Sequence, residues 1–164
     1  MSAAPHARVA RQEYKQLAPE VNAALLQLGG VAAEHGLDKR LLELLKLRVS
    51  QINGCAFCVS YHVAEAQRLG IAANKLHTVV AWHETPLFDA RERAALGWAE
   101  ALTLITQGVP DSVYEQARAV FSDQELAYLT GEVLAINAWN RLAIGYRFTP
   151  LPIPAAPHVK GEAA

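Results

Sequence analysis

Several residue types are scarce in this sequence, and each shortage excludes a class of protein. Only two of the 164 residues are cysteines, so the core must form without a disulfide framework. At this length a single domain can bury roughly 70% of the surface that the unfolded chain exposes, which is enough for an ordinary hydrophobic core. No charge of one sign dominates, because 15 lysines and arginines stand against 16 aspartates and glutamates. That balance argues against nucleic acid and anionic membranes as partners.

Long hydrophobic runs are also missing. No apolar stretch is long enough to cross a bilayer. The first 17 residues carry charges at Arg8, Arg11, Glu13 and Lys15 where a secretory signal would have its apolar core. We therefore expect a cytoplasmic protein, in which thiols stay reduced. A close pair of cysteines is then expected to be catalytic or metal-binding rather than structural.

The residue pattern predicts an all-α protein. Glycine and proline divide the sequence into segments of helical periodicity, and no segment alternates polar and apolar residues as a strand does. We expect one helical domain over residues 1–148. Four prolines between residues 149 and 164 forbid a helix there and predict an extended C-terminal tail, which either lies along a neighbouring subunit or hangs loose.

Two neighbouring helices are expected to form a hairpin. Asp38 is a suitable N-cap for a helix that runs to about Ile52, where Asn53-Gly54 breaks the pattern. A second helix is expected from near Cys55 to Leu69, stopped by Gly70. Because so short a connection brings consecutive helices side by side, the two should lie antiparallel.

Later helix starts carry a capping pattern in which an Asp or Ser precedes a Glu by three residues. The pairs are Asp89 with Glu92, Ser112 with Glu115, and Ser122 with Glu125. The last helix, which ends at about Gly145, is apolar on more than one face. It is expected to be central in the fold or to lie at a subunit interface.

The two cysteines belong to a Cys-x-x-Cys segment, Cys55 to Cys58, with His62 four residues further on. The free N–H groups and the dipole at the start of a helix favour a thiolate. Cys58 and His62 are one helical turn apart, so the imidazole can take the thiol proton. Zinc usually needs a fourth ligand, which is lacking, and a thioredoxin-type motif would follow a strand. A redox dithiol is therefore favoured over a metal site or a structural disulfide.

Glu43 is the candidate partner of His62. In the predicted hairpin it lies as far from the turn as His62 or Glu65, which brings a carboxylate beside the imidazole. Leucines flank Glu43, so we expect partial burial, a raised pKa and a role in proton relay. The alternative is a solvated glutamate that forms ion pairs with basic residues of its own helix, such as Lys39, Lys46 and Arg48.

Other polar and aromatic residues have simpler interpretations. Asn137, Asn140 and Arg141 are expected to cap a helix or to form a buried hydrogen-bond network across subunits. The three tryptophans are expected in the core, although a ring near the dithiol would shape an apolar pocket. His77 and His83 are taken as structural or exposed.

The spacing of Glu43, Cys55, Cys58 and His62 resembles the active-site motif of AhpD-like alkylhydroperoxidases, in the carboxymuconolactone decarboxylase family. The segments 86–96 and 136–141 are also similar to patterns of that family. The resemblance implies a helical fold built around the Cys-x-x-Cys hairpin and assembled as trimers or hexamers. It further implies that Cys58 attacks the peroxide and Cys55 resolves the product, with Glu43 and His62 moving protons. Phe57 is a departure, since some AhpD proteins have histidine before the second cysteine.

These features predict a thiol-dependent peroxidase or disulfide reductase with an antioxidant role, which uses no metal or organic cofactor. Its partners would be a peroxide, an external thiol or dithiol reductant, and further copies of the same chain. Two alternatives remain open. One is a lyase that resembles the family's lactone decarboxylase, and the other is a non-catalytic oligomer whose dithiol senses oxidation.

Overall fold

The computed structural model of the protein describes residues 6–152. This part of the chain contains eight α-helices: α1 (Arg11–Leu17), α2 (Pro19–Glu34), α3 (Lys39–Ile52), α4 (Ala56–Arg68), α5 (Ala73–Thr78), α6 (Ala90–Thr103), α7 (Asp111–Arg118) and α8 (Asp123–Tyr146). Short 3₁₀ helices cover Val79–Glu84 and Ile105–Gln107. Residues 6–152 form no β-strand, which confirms the all-α prediction. None of the described helices combines the length and apolarity that a membrane span requires.

Helix α3 runs through the centre of the molecule and packs against α4, α6 and α8. Leu41, Leu45 and Val49 join a core cluster with α6 and α8. Leu44 and Leu47 enter a second cluster with α4, α5 and Trp82. Since residues 41–52 of α3 are all buried or half-buried, the polar side chains among them are held between neighbouring helices. Glu43 and Lys46 are among these side chains.

Three of the four expected helix starts are confirmed. The Asp38 side chain accepts hydrogen bonds from the backbone N–H groups of Arg40 and Leu41. Asp89 with Glu92 and Ser122 with Glu125 form the reciprocal capping pairs of α6 and α8. The expectation for Ser112 is wrong, because α7 begins at Asp111, with Pro110 at the N-cap. Asp111 in the first turn offers its charge to the helix dipole instead.

The turn between α3 and α4 has the geometry that the hairpin prediction requires. Gly54 has φ 69°, a left-handed conformation that favours glycine. The backbone N–H of Cys55 donates to Ser50 O at 2.9 Å, which closes the end of α3. Helices α3 and α4 then pack against each other, so the hairpin that carries the cysteines is confirmed.

A buried amide network fixes this turn to α8. Asn53 Nδ2 donates to Asn137 Oδ1 at 3.0 Å and to Asn140 Oδ1 at 2.8 Å. Asn140 Nδ2 donates in turn to Ser50 Oγ at 3.1 Å. The asparagines therefore form a hydrogen-bond network, but it connects the end of α3 to the last helix within one chain, whereas the sequence predicted a network across subunits.

The C-terminal end of α8 folds back over the hairpin. Arg147 adopts a left-handed conformation with φ 56°, and the N–H of Phe148 donates to Ala143 O at 2.9 Å. The Phe148 ring then lies 5.6 Å from Phe57 and 6.1 Å from Tyr14 of α1, measured between ring centroids. These rings enclose the start of α4. Of the predicted C-terminal tail, residues 153–164 lie outside the described part of the chain.

Candidate active site

The two sulfurs lie together at the start of α4. Cys55 is the N-cap residue of that helix, and Cys58 lies in its first turn. The Cys58 N–H donates to Cys55 Sγ at 3.3 Å, and the two sulfurs are bonded as a disulfide with their Cα atoms 5.3 Å apart. The pair thus has the proximity that a reversible dithiol needs.

Glu43 of α3 lies against His62 of α4. The imidazole Nδ1–H donates to Glu43 Oε2 at 2.7 Å, and each residue is only 8% exposed. Antiparallel packing of the hairpin produces this contact, as the sequence predicts. Because the carboxylate only accepts, the neutral ring carries its proton on Nδ1 and leaves Nε2 as a proton acceptor.

The pKa of Glu43 contradicts the expectation from sequence. Burial raises this pKa, but the hydrogen bond from His62 and the charge of Lys46 more than offset burial and hold it below its ordinary value. Burial alone suggested a raised pKa. That expectation is wrong because it left out the hydrogen bond from His62 and the charge of Lys46. Glu43 is therefore a carboxylate that orients the imidazole.

Two ionic side chains extend the site beyond the predicted residues. Lys46 Nζ lies 3.0 Å from Glu43 Oε1 and 3.1 Å from Glu132 Oε1, so the ammonium bridges two carboxylates. Sequence analysis raised Lys46 only as a possible ion-pair partner and did not identify Glu132. One signal was available, because Glu132 shares the apolar spacing of Leu129, Val133 and Ile136 on α8.

A cavity of about 240 Å³ opens beside these groups. Its polar and charged lining residues are Arg11, Glu43, Lys46, Cys58, His62, Glu65 and Glu132. The remaining lining is mainly apolar or aromatic: Leu25, Leu26, Phe57, Tyr61, Ile136, Trp139, Ala143 and Phe148. Cys58 lines the cavity and Cys55 does not, although the two residues are similarly buried at 3% and 1% exposure. Of the two cysteines, Cys58 is therefore the one placed beside a small molecule in the cavity.

The four residues singled out from sequence meet at the hairpin, whereas two histidines do not join them. His77 is exposed, and His83 lies against Glu100 on another side of the molecule. Trp139 lines the cavity. Among the described residues, no group of three or more His, Cys, Asp or Glu side chains is arranged to hold a metal ion.

The sequence profile of the carboxymuconolactone decarboxylase family matches residues 19–101, which include the whole hairpin. The chain belongs to the carboxymuconolactone decarboxylase family. One relative of this chain is the uncharacterized protein YdfG from Bacillus subtilis. The two are 33% identical over 135 residues, which cover 82% of this chain and 92% of YdfG.

Solved structures identify the family branch and its fold. ATU0492 from Agrobacterium tumefaciens, a protein of unknown function named as a candidate AhpD antioxidant defence protein, is 39% identical. It superposes with a TM-score of 0.84 over 90% of this chain and 100% of its own. The debrominase Bmp8 has a TM-score of 0.73 at 17% identity, over 81% of this chain and 72% of Bmp8. The second likeness concerns the fold alone, and the AhpD-like fold is confirmed.

Proposed function

We propose that this protein is a thiol-dependent peroxidase of the AhpD type, which reduces peroxides through its Cys55–Cys58 dithiol and thereby serves antioxidant defence. One observation carries the proposal. Cys58 is the residue of the redox pair that lines the cavity, and the hydrogen-bonded Glu43–His62 pair lines the same cavity. A nucleophile, a base and a group that orients the base thus line one cavity.

In the reduced enzyme, His62 activates Cys58. The hydrogen bond from Nδ1 to Glu43 leaves Nε2 to accept the thiol proton, and the Glu43 carboxylate stabilises the resulting imidazolium. Cys58 also lies in the first turn of α4, where the helix dipole favours its thiolate.

The catalytic cycle then follows sulfur chemistry. The Cys58 thiolate attacks the terminal oxygen of a hydroperoxide ROOH, the O–O bond breaks, and Cys58 becomes a sulfenic acid as RO⁻ leaves. The Cys55 thiol attacks that sulfenic acid and releases water, which forms the disulfide. An external dithiol reduces the disulfide and is itself oxidised. Such reductants are abundant in the cytoplasm, where we place the protein.

The cavity favours an organic hydroperoxide over hydrogen peroxide. The aromatic rings of Phe57, Tyr61, Trp139 and Phe148 belong to residues that line the cavity, and an alkyl or aryl group bound against them would bury apolar surface. We therefore expect a lower KM for cumene hydroperoxide than for hydrogen peroxide.

The test is peroxide consumption with dihydrolipoamide, glutathione and a thioredoxin-type protein compared as donors. Cys58→Ser should abolish turnover. Cys55→Ser is the matched control, because it keeps the attacking sulfur and loses only resolution. It should be oxidised once, to a sulfenic acid that dimedone labels. Undiminished turnover in Cys58→Ser would refute the assignment.

The same assay separates a catalyst from a redox sensor. A catalyst consumes many equivalents of peroxide per chain when reductant is supplied, whereas a sensor stops after one. We also expect a trimer or hexamer, because Leu17, Val21, Leu26 and Leu134 are apolar side chains that the single chain leaves at least 49% exposed. Sedimentation equilibrium measures the assembly directly.

A further inference from the structure

Glu132 is a buried acid for which the scheme above has no use. It is 1% exposed and lines the same cavity as Cys58. Its Oε1 contacts Lys46 Nζ at 3.1 Å, whereas Oε2 has no hydrogen-bond partner among the described residues. A buried carboxyl oxygen without a partner is costly, and most native proteins avoid one. The position therefore calls for an explanation.

A purely structural role does not supply that explanation. Lys46 already has a carboxylate partner in Glu43, 3.0 Å away, so its charge is balanced without Glu132. A second buried carboxylate adds a desolvation cost and places two negative groups around one ammonium. If Glu132 is a neutral acid, that repulsion disappears and the buried Oε2 carries a proton next to the cavity that Glu132 lines.

We propose that Glu132 is the catalytic acid of this enzyme, which donates its Oε2 proton to the oxygen that leaves when Cys58 attacks a hydroperoxide. The inference rests on the proposed peroxidase function. It gives the cavity two separate proton carriers, since His62 holds the proton taken from the Cys58 thiol and Glu132 supplies another to the leaving group.

The balance of the step is as follows. The S–O bond forms between Cys58 and the terminal oxygen of ROOH as the O–O bond breaks. The sulfur loses two electrons and the peroxide gains them. The RO⁻ leaving group takes the Glu132 proton and departs as ROH. Glu132 remains as a carboxylate beside the Lys46 ammonium, which stabilises the new charge, and it regains a proton from water before the next cycle.

The electrostatics of the site favour the neutral form of Glu132. Burial raises the pKa of Glu132, Lys46 opposes this effect, and the negative charge of Glu43 adds to it, so that the pKa is above its ordinary value. A raised pKa suits a carboxyl group for acid catalysis near neutral pH.

The experiment compares two oxidants that differ in how much their leaving groups need a proton. Reduced protein is mixed with tert-butyl hydroperoxide, which releases a strongly basic alkoxide, or with peracetic acid, which releases the weak base acetate. The rate of Cys58 oxidation is measured in a single turnover. Glu132→Gln should slow the reaction with tert-butyl hydroperoxide about 10²-fold and the reaction with peracetic acid less than about threefold.

Two further variants complete the test. Glu100→Gln removes a carboxylate that does not line the cavity, and it should keep the wild-type ratio of the two rates. Glu132→Asp keeps an acid one methylene shorter, so its ratio should lie between those of the wild type and Glu132→Gln. This variant carries the test if the amide variant folds poorly.

The outcomes separate the inference from the proposed function. If Glu132→Gln slows both oxidants equally, or neither, Glu132 is not the acid, while the peroxidase assignment stands. If neither oxidant reacts with Cys58 in the wild type, the peroxidase assignment fails and the inference fails with it.

Discussion

Two glutamates that contact polar residues of the central helix α3, the buried Glu132 and the half-buried Glu100, differ in how fully they are paired. Glu100 of α6 accepts from Arg48 Nε at 2.5 Å and from Trp82 Nε1 at 2.8 Å on Oε1, and from His83 Nε2 at 3.4 Å on Oε2. Glu132 of α8 accepts only from Lys46, and its second oxygen has no partner within residues 6–152. Only Glu132 lines the cavity.

Because burial raises the pKa of both carboxyl groups, the extent of pairing decides whether each pKa lies above or below its ordinary value. Burial raises the pKa of Glu100, but the hydrogen bonds from Trp82 and Arg48 outweigh burial and hold the pKa below its ordinary value. Burial also raises the pKa of Glu132, and Lys46 alone does not outweigh it. The hydrogen bonds that pair Glu100 favour its anionic form, whereas at Glu132 pairing is incomplete and burial favours the protonated form.

The largest expected effect is on stability at Glu100. Glu100→Ala leaves the Arg48 guanidinium, only 17% exposed, without its carboxylate. We expect the free energy of unfolding to fall by about 3 kcal/mol. Glu132→Gln should lower it by less than about 1 kcal/mol, because Lys46 keeps Glu43. Urea unfolding at neutral pH measures both, and equal losses would remove the distinction between the two glutamates.

The next largest expected effect is on turnover, in a variant of Glu43, which lines the cavity together with Glu132. Glu43→Gln keeps an acceptor for His62 Nδ1 but removes the negative charge that stabilises the imidazolium. We expect kcat with an organic hydroperoxide to fall about 10²-fold.

Glu100→Gln is the matched control for this measurement, since it removes a half-buried carboxylate that does not line the cavity. Per folded molecule its kcat should be that of the wild type. A similar fall in both variants would mean that the lost activity reflects general damage and not the loss of charge beside His62.

The ionisable residues that line the cavity were predictable from sequence to different degrees. The contact between Glu43 and His62 follows from local rules: a capped helix, a break at Asn53-Gly54 and a second helix brought back alongside the first. Distances along two helices joined by a short turn are set by helix geometry, so this pairing needs no knowledge of the remaining fold.

Glu132 was not predictable by such rules, because it reaches the site through the packing of α8 against α3 and α4. An acid on the apolar face of a helix signals burial, but the sequence does not show which cation it meets. The direction of the Glu43 pKa depends on the same long-range packing.

The prediction that Ser112 caps a helix was wrong for a local reason, since the preceding Pro110 and Asp111 already provide a helix start.

The smallest expected effect, and the most direct test of the contrast, is the pH dependence of stability. Glu132 has a raised pKa in the folded state, so its stabilising contribution is present at low pH and lost as the pH rises through the folded-state pKa. Glu100 has a lowered pKa, so its contribution is present at higher pH and lost as the pH falls through that value. Because the pKa of Glu100 is lowered from its ordinary value of 4.5, the measurement must extend below that value. The unfolding free energies of the wild type and of each Gln variant are therefore measured between about pH 2.5 and 8, with about 1.4 kcal/mol expected per unit of pKa shift. The difference should decline with rising pH for Glu132→Gln and grow for Glu100→Gln. Differences that slope in the same direction would show that the two carboxyl groups are charged alike, and the assignment of Glu132 as a proton donor would lose its electrostatic basis.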